Sequence, residues 1–137
     1  MRRIVGLTVG ALALAVTLVA CAGGTPDFEQ VKGLPTGLPA ASIAPEDVGQ
    51  PMAFANDGEL VVVVWGSSSC RPAPTDFDTS GPVATITFAA DSKGATACTA
   101  DLAPTSYVIP GSVFGGSVPA KIVLVVDRSR STVTVVK

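Results

Sequence analysis

The chain has 137 residues, 47% of them apolar, 15% charged and 5% aromatic, which is room for one domain and too little for two. A net charge of −2 argues against nucleic acid as a partner, and there is no histidine. Ser-His-Asp triads, Cys-His dyads and histidine-based zinc sites are therefore excluded.

Arg2 and Arg3 precede an uncharged run from Ile4 to Ala20 built of Leu, Val, Ala, Ile, Gly and Thr. That order, positive then apolar, predicts a secretory signal peptide over residues 1–20. Leu18-Val19-Ala20-Cys21 closes it and resembles the lipobox of bacterial prolipoproteins at all four positions. The resemblance implies that Cys21 receives a diacylglycerol on its thiol and that cleavage falls between Ala20 and Cys21. Two or three acyl chains hold a protein firmly, since each buried methylene contributes about 0.8 kcal/mol. The expected product is a lipid-anchored protein on the extracytoplasmic face of the cell membrane. Processing also removes Arg2 and Arg3, so the net charge of −2 becomes −4.

From Cys21 to Gln50 glycine and proline recur (Gly23, Gly24, Pro26, Gly33, Pro35, Gly37, Pro39, Pro45, Gly49) and no apolar period survives. Residues 21–50 read as the lipidated cysteine and a flexible linker, with residues 51–137 as a single β domain.

Met52 to Ala55 and Glu59 to Trp65 flank Asn56-Asp57-Gly58, a hairpin turn whose residues tolerate positive φ. The second strand holds four consecutive valines, apolar on both faces, and is expected at the centre of a sheet. Val83 to Ala90 alternates Thr with Ala, Ile and Phe, and Asp91-Ser92-Lys93-Gly94 predicts a turn into a returning strand, Ala95 to Asp101. A short strand follows through Tyr107, Val108 and Ile109. Gly111 to Pro119 reads as loop. Lys121 to Asp127 is again strongly apolar, and Arg128-Ser129-Arg130 predicts the turn into Thr132 to Val136. About seven short strands with no helix among them predict an all-β fold, a small antiparallel sandwich or barrel.

With Cys21 assigned to lipid, Cys70 and Cys98 remain, and an exported domain most simply pairs them in one disulfide. The intervening connection, Gly66 to Pro82, is longer than the loops that compact domains usually keep without a use for them. It concentrates Ser67, Ser68, Ser69, Arg71, Asp76 and Asp78, which form the candidate binding loop. Serines supply adaptable hydrogen bonds, and arginine is enriched at binding hot spots.

Catalytic signals are weak. Gly66-Ser67-Ser68-Ser69-Cys70 is not a nucleophile elbow, because Cys70 stands where its second glycine belongs. A serine nucleophile would have only Lys93 or Lys121 as a base. Asp76-Phe77-Asp78-Thr79-Ser80-Gly81 matches the start of a calcium loop, but Thr87 occupies the place of its bidentate glutamate and Pro82 interrupts it. Asx turns explain the same spacing, and no metal or cofactor is assigned. Trp65 reads as a core residue rather than a sugar platform.

Trp65-Gly66-Ser67-Ser68-Ser69-Cys70 and Cys98-Thr99-Ala100-Asp101-Leu102-Ala103-Pro104 together resemble small uncharacterised lipoproteins of actinobacteria. The resemblance implies location and fold and brings no activity with it. The expected function is non-catalytic binding of an envelope protein or glycan, with the membrane as partner through Cys21 and a Ser-Lys hydrolase as the alternative.

Overall fold

The computed structural model describes residues 27–36, 38 and 43–137, so the signal peptide expected over residues 1–20 and the expected lipid site Cys21 lie outside the described residues. Among the described residues no helix is long and apolar enough to cross a membrane. Eight strands follow in chain order: β1 (Glu29–Lys32), β2 (Met52–Asn56), β3 (Glu59–Gly66), β4 (Pro72–Asp78), β5 (Thr85–Ala90), β6 (Ala103–Pro110), β7 (Lys121–Val126) and β8 (Ser129–Val136). Two short 3-10 turns, Pro45–Asp47 and Gly111–Phe114, are the only other regular elements described.

The strands form one curled sheet, a half-barrel, in the order β1-β6-β3-β2-β8-β7-β5-β4. Five of the neighbouring pairs are antiparallel, whereas β2–β8 and β5–β7 run parallel. The β2–β8 contact joins two half-sheets through only Ala53–Val135 and Phe54–Val136.

The valine strand lies between β6 and β2, inside the sheet as its composition requires. Leu60, Val62 and Val64 point into the curl and meet Ile86, Phe88, Ile109, Ile122 and Leu124. Val61 and Val63 point outward, join Met52 and Phe54, and are covered by Leu38 and Ile43. One run therefore serves two cores, because alternate side chains of a strand face opposite sides. Complete burial of such an aliphatic side chain contributes about 1.5–3 kcal/mol.

Curling brings the two edge strands together. Phe28, just before β1, meets Phe77 of β4 edge to face at 5.5 Å, and Phe77 meets Phe114 at 5.7 Å. From β6, the hydroxyl of buried Tyr107 donates to the carbonyl of Pro72 at 2.6 Å and accepts from the Gln30 amide at 3.1 Å.

Three segments differ from the expectation drawn from sequence. β1 lies within the stretch read as linker; it pairs with β6 through its backbone, which needs no apolar alternation. β4 lies within the stretch read as a long loop. Its prolines argue against a strand, but β4 is an edge strand with an irregularity between Pro74 and Asp76, where missing N–H groups are tolerated. Residues 95–101, expected to be a strand, are irregular; β5 takes β4 as its hairpin partner instead.

Two tight turns share one geometry. Asp57-Gly58 (φ 47° and 81°) joins β2 to β3, and Asp127-Arg128 (φ 46° and 72°) joins β7 to β8, one residue earlier than the sequence suggested. Both central residues need positive φ, which costs a non-glycine residue energy. Arg128→Gly should therefore raise stability by about 0.5–1 kcal/mol, read as a higher urea midpoint at unchanged slope. Burial pushes the Tyr107 phenol up to about 12 from 10.0. Its contribution to stability is thus fully present below pH 10 and lost as pH rises through about 12. Tyr107→Phe leaves the buried Pro72 carbonyl without its donor and should cost about 1–3 kcal/mol, abolishing that alkaline decline in urea melts run across the same range.

Candidate functional site

At the end of β3 the chain doubles back on itself. Gly66 lies so close to the Pro72 ring that a Cβ there would stand 2.6 Å from two ring carbons, so only glycine fits. Ser67 to Arg71 form the resulting short loop. Cys70 anchors it: its sulfur is bonded to Cys98, with the Cα atoms 5.3 Å apart, and Cys70 itself is 1% exposed. Cross-linking residues 28 apart stabilises a fold by roughly 3–4 kcal/mol in the chain-entropy account.

The irregular 95–101 segment is held to this loop by side chains rather than by a ladder. Ser67 Oγ lies 2.8 Å from Thr99 Oγ1, Ser69 Oγ donates to the same atom at 3.2 Å, and Thr99 N donates to Ser69 Oγ at 2.9 Å. The Thr99 hydroxyl in turn donates to Asp101, which also accepts from the Ser68 backbone N–H at 3.1 Å. The Thr99 N–H is thereby given to a side chain of the loop rather than to a strand partner.

Asp101 was legible in the sequence only as a charge beside alanine and leucine; in the fold it is the acceptor at the end of the hydroxyl chain. Hydrogen bonds from Thr99 and then from Ser68 hold its carboxyl down at about 2. A group so acidic is a poor general base at neutral pH.

Beside the serine loop is an open cavity of about 210 Å³, lined by Gln30, Ser68, Ser69, Arg71, Asp91 and Lys93. The Arg71 backbone carbonyl accepts from Asp91 N at 3.0 Å, and Asp91 Oδ1 accepts from Lys93 N at 3.0 Å, fixing the turn that carries Lys93. The Nε of Arg71 is buried and has no hydrogen-bond partner among the described residues. Among the described residues the cavity thus presents two cations, two hydroxyls, one amide and one carboxylate.

Of the candidate binding residues, the fold brings Ser68, Ser69 and Arg71 to this cavity and places Ser67 immediately behind it in the hydroxyl network. Asp76 and Asp78 do not join them. They lie farther along β4, exposed, and Asp78 Oδ1 is occupied by Ser80 N at 2.8 Å and Ser80 Oγ at 2.6 Å. That is an Asx turn, and the Ser80 bonds lower the Asp78 carboxyl pKa. Among the described residues no group of three acidic or cysteine side chains converges on a point that could hold a metal. Gln30, Asp91 and Lys93 were not assigned to a site from sequence. Gln30 sits in the supposed linker, and the other two reach the loop only because β5 pairs with β4. Comparison with protein-family profiles, with curated proteins and with solved structures finds no match.

The depressed Asp101 carboxyl makes a pH test. Its stabilising contribution is present above its ordinary value of 3.8 and is lost as pH falls through about 2. Asp101→Asn should lower the urea midpoint at neutral pH and flatten the acid limb between those two values. A wild-type acid limb in the variant would mean that the hydroxyl chain contributes nothing to the fold.

Proposed function

We propose that the chain is an extracytoplasmic lipoprotein, anchored through lipid on Cys21, whose β domain is a non-catalytic module that binds an envelope component. The sequence Leu18 to Cys21 supports the anchor, and the Cys70–Cys98 bridge suits an oxidising compartment. The observation that carries the binding role is the convergence of Arg71, Lys93, Ser68 and Ser69 on one cavity beside a cross-linked loop. A loop already fixed by a disulfide and by side-chain hydrogen bonds loses little entropy when it binds. The excess of cation over carboxylate favours a partner presenting carboxylate or phosphate groups, for which arginine is suited by its fork of donors.

A Ser-Lys hydrolase is the second reading, favoured by Ser68, Ser69 and Lys93 lining the same cavity. It ranks lower because the serine hydroxyls bond one another and Thr99, and none bonds lysine among the described residues.

The test uses the full chain expressed in a native envelope. Cys21→Ser should move the protein out of the membrane fraction. Recovery of cross-linked partners should fall about tenfold or more in Arg71→Ala/Lys93→Ala, equivalent to losing one hot-spot contact. Asp76→Ala/Asp78→Ala, away from the cavity, should leave recovery at the wild-type level. Equal recovery from both double variants would remove the cavity from the binding surface. Labelling of Ser68 or Ser69 by a fluorophosphonate would replace the module with the hydrolase.

A further inference from the structure

A second cavity, of about 320 Å³, lies on a different part of the molecule, where the two half-sheets part. β2 and β8 pair only at their Ala53–Val135 and Phe54–Val136 positions. Before those positions the chain entering β2 and the first half of β8 have no mutual pairing, and both line the gap. Gln50 and Pro51 stand on one side, Asp127, Ser129 and Ser131 on the other, with Trp65 from the end of β3.

Trp65 packs on a core cluster, as its strand suggested, without being fully enclosed. It is partly exposed, packs against the outer cluster of Met52, Phe54, Val61 and Val63, and also lines the cavity. Its indole Nε1 is buried without an acceptor among the described residues. What Trp65 offers the cavity is therefore ring surface rather than its N–H donor.

The lining narrows the ligand. Among the described residues its single charged side chain is Asp127, which repels anions. Gln50, Ser129 and Ser131 offer both donors and acceptors, so a wholly apolar ligand would bury them unsatisfied. Trp65 and Pro51 add an apolar wall. A compact, neutral ring with one apolar face and hydroxyls around its rim satisfies every one of these groups. We infer that this cavity is a saccharide subsite. The positively polarised C–H face of a pyranose stacks on the negative face of the Trp65 indole, while Gln50, Asp127, Ser129 and Ser131 bond its hydroxyls. Among the described residues the site shares none of its lining with the Arg71 cavity, and it stands or falls independently of the function proposed above.

Trp65 is the only tryptophan in the chain, so its emission comes from one side chain that lines this cavity. The full chain, in a detergent without a sugar headgroup, is titrated with chitotriose, maltotriose and, separately, choline chloride. The expected result is a saturable emission change with at least one trisaccharide and none with choline. Asp127→Asn keeps a residue tolerant of the left-handed turn and should weaken binding about tenfold by removing a charged acceptor. Trp65→Ala should abolish binding and Trp65→Phe retain it, both followed by saturation-transfer NMR on the sugar protons. Should Trp65→Ala fail to fold, Ser131→Ala with Asp127→Asn supplies the same comparison. The inference is overturned if neither trisaccharide binds, if choline binds and the sugars do not, or if binding is undiminished in the folded variants.

Discussion

Val61 to Val64 put apolar side chains on both faces of one strand, and neither face can be left to water. The inner face is served by curling: β5, β6, β7 and β8 wrap round until Leu60, Val62 and Val64 are enclosed. The outer face is served by the segment before β2, whose Leu38 and Ile43 lie over Val61 and Val63. The same demand sets the position of Trp65, which continues the outward series and ends at the margin of the covered patch. Both cavities lie where that wrapping runs out, one at the loop after β3 and one where β2 parts from β8.

Polar chemistry takes over where apolar burial stops. At Gly66 the chain needs a reversal too tight for any side chain, and the loop beyond it is held by a disulfide and by hydroxyls. Ser67, Ser69 and Thr99 trade hydrogen bonds, and Asp101 gives the chain of donors a fixed end. This arrangement sets Arg71 and Lys93 beside an open cavity on a rigid frame. Rigid placement of a few polar groups beside a shallow cavity is the arrangement that the proposed binding role calls for.

Strand identity was legible wherever side-chain pattern and burial coincide. The valine strand, the alternation of β5, the apolar β7 and the Asp57-Gly58 turn all announce themselves. The segments that escaped detection depend on the backbone of a distant partner. β1 has the sequence Glu-Gln-Val-Lys and gains its place from β6; β4 carries two prolines and gains its place from β5. Ala95 to Asp101 misleads in the opposite direction, because the turn before it suggests a returning strand while Thr99 and Asp101 bond the serine loop instead. The cysteine pairing followed from counting. Ser68, Ser69 and Arg71 as neighbours were legible from their closeness in the chain, whereas Gln30, Asp91 and Lys93 arrive through tertiary pairing alone. The parallel β2–β8 and β5–β7 contacts carry no local signature at all.

The order of strands in space bears on how the chain can acquire its structure. β8, last of the eight in sequence, occupies an interior place between β2 and β7, and β6 must enter between β1 and β3. Neither half-sheet is continuous in the chain: β4 and β5 belong to one half, β6 to the other, and β7 returns to the first. Such wiring postpones closure until distant segments meet, and non-local pairing of this kind folds slowly. A polypeptide emerging amino end first therefore cannot complete this domain by stages. Until Val135 and Val136 arrive beside Ala53 and Phe54, it carries two unfinished sheet fragments with open strand edges, and it depends on its surroundings to keep those edges from other chains.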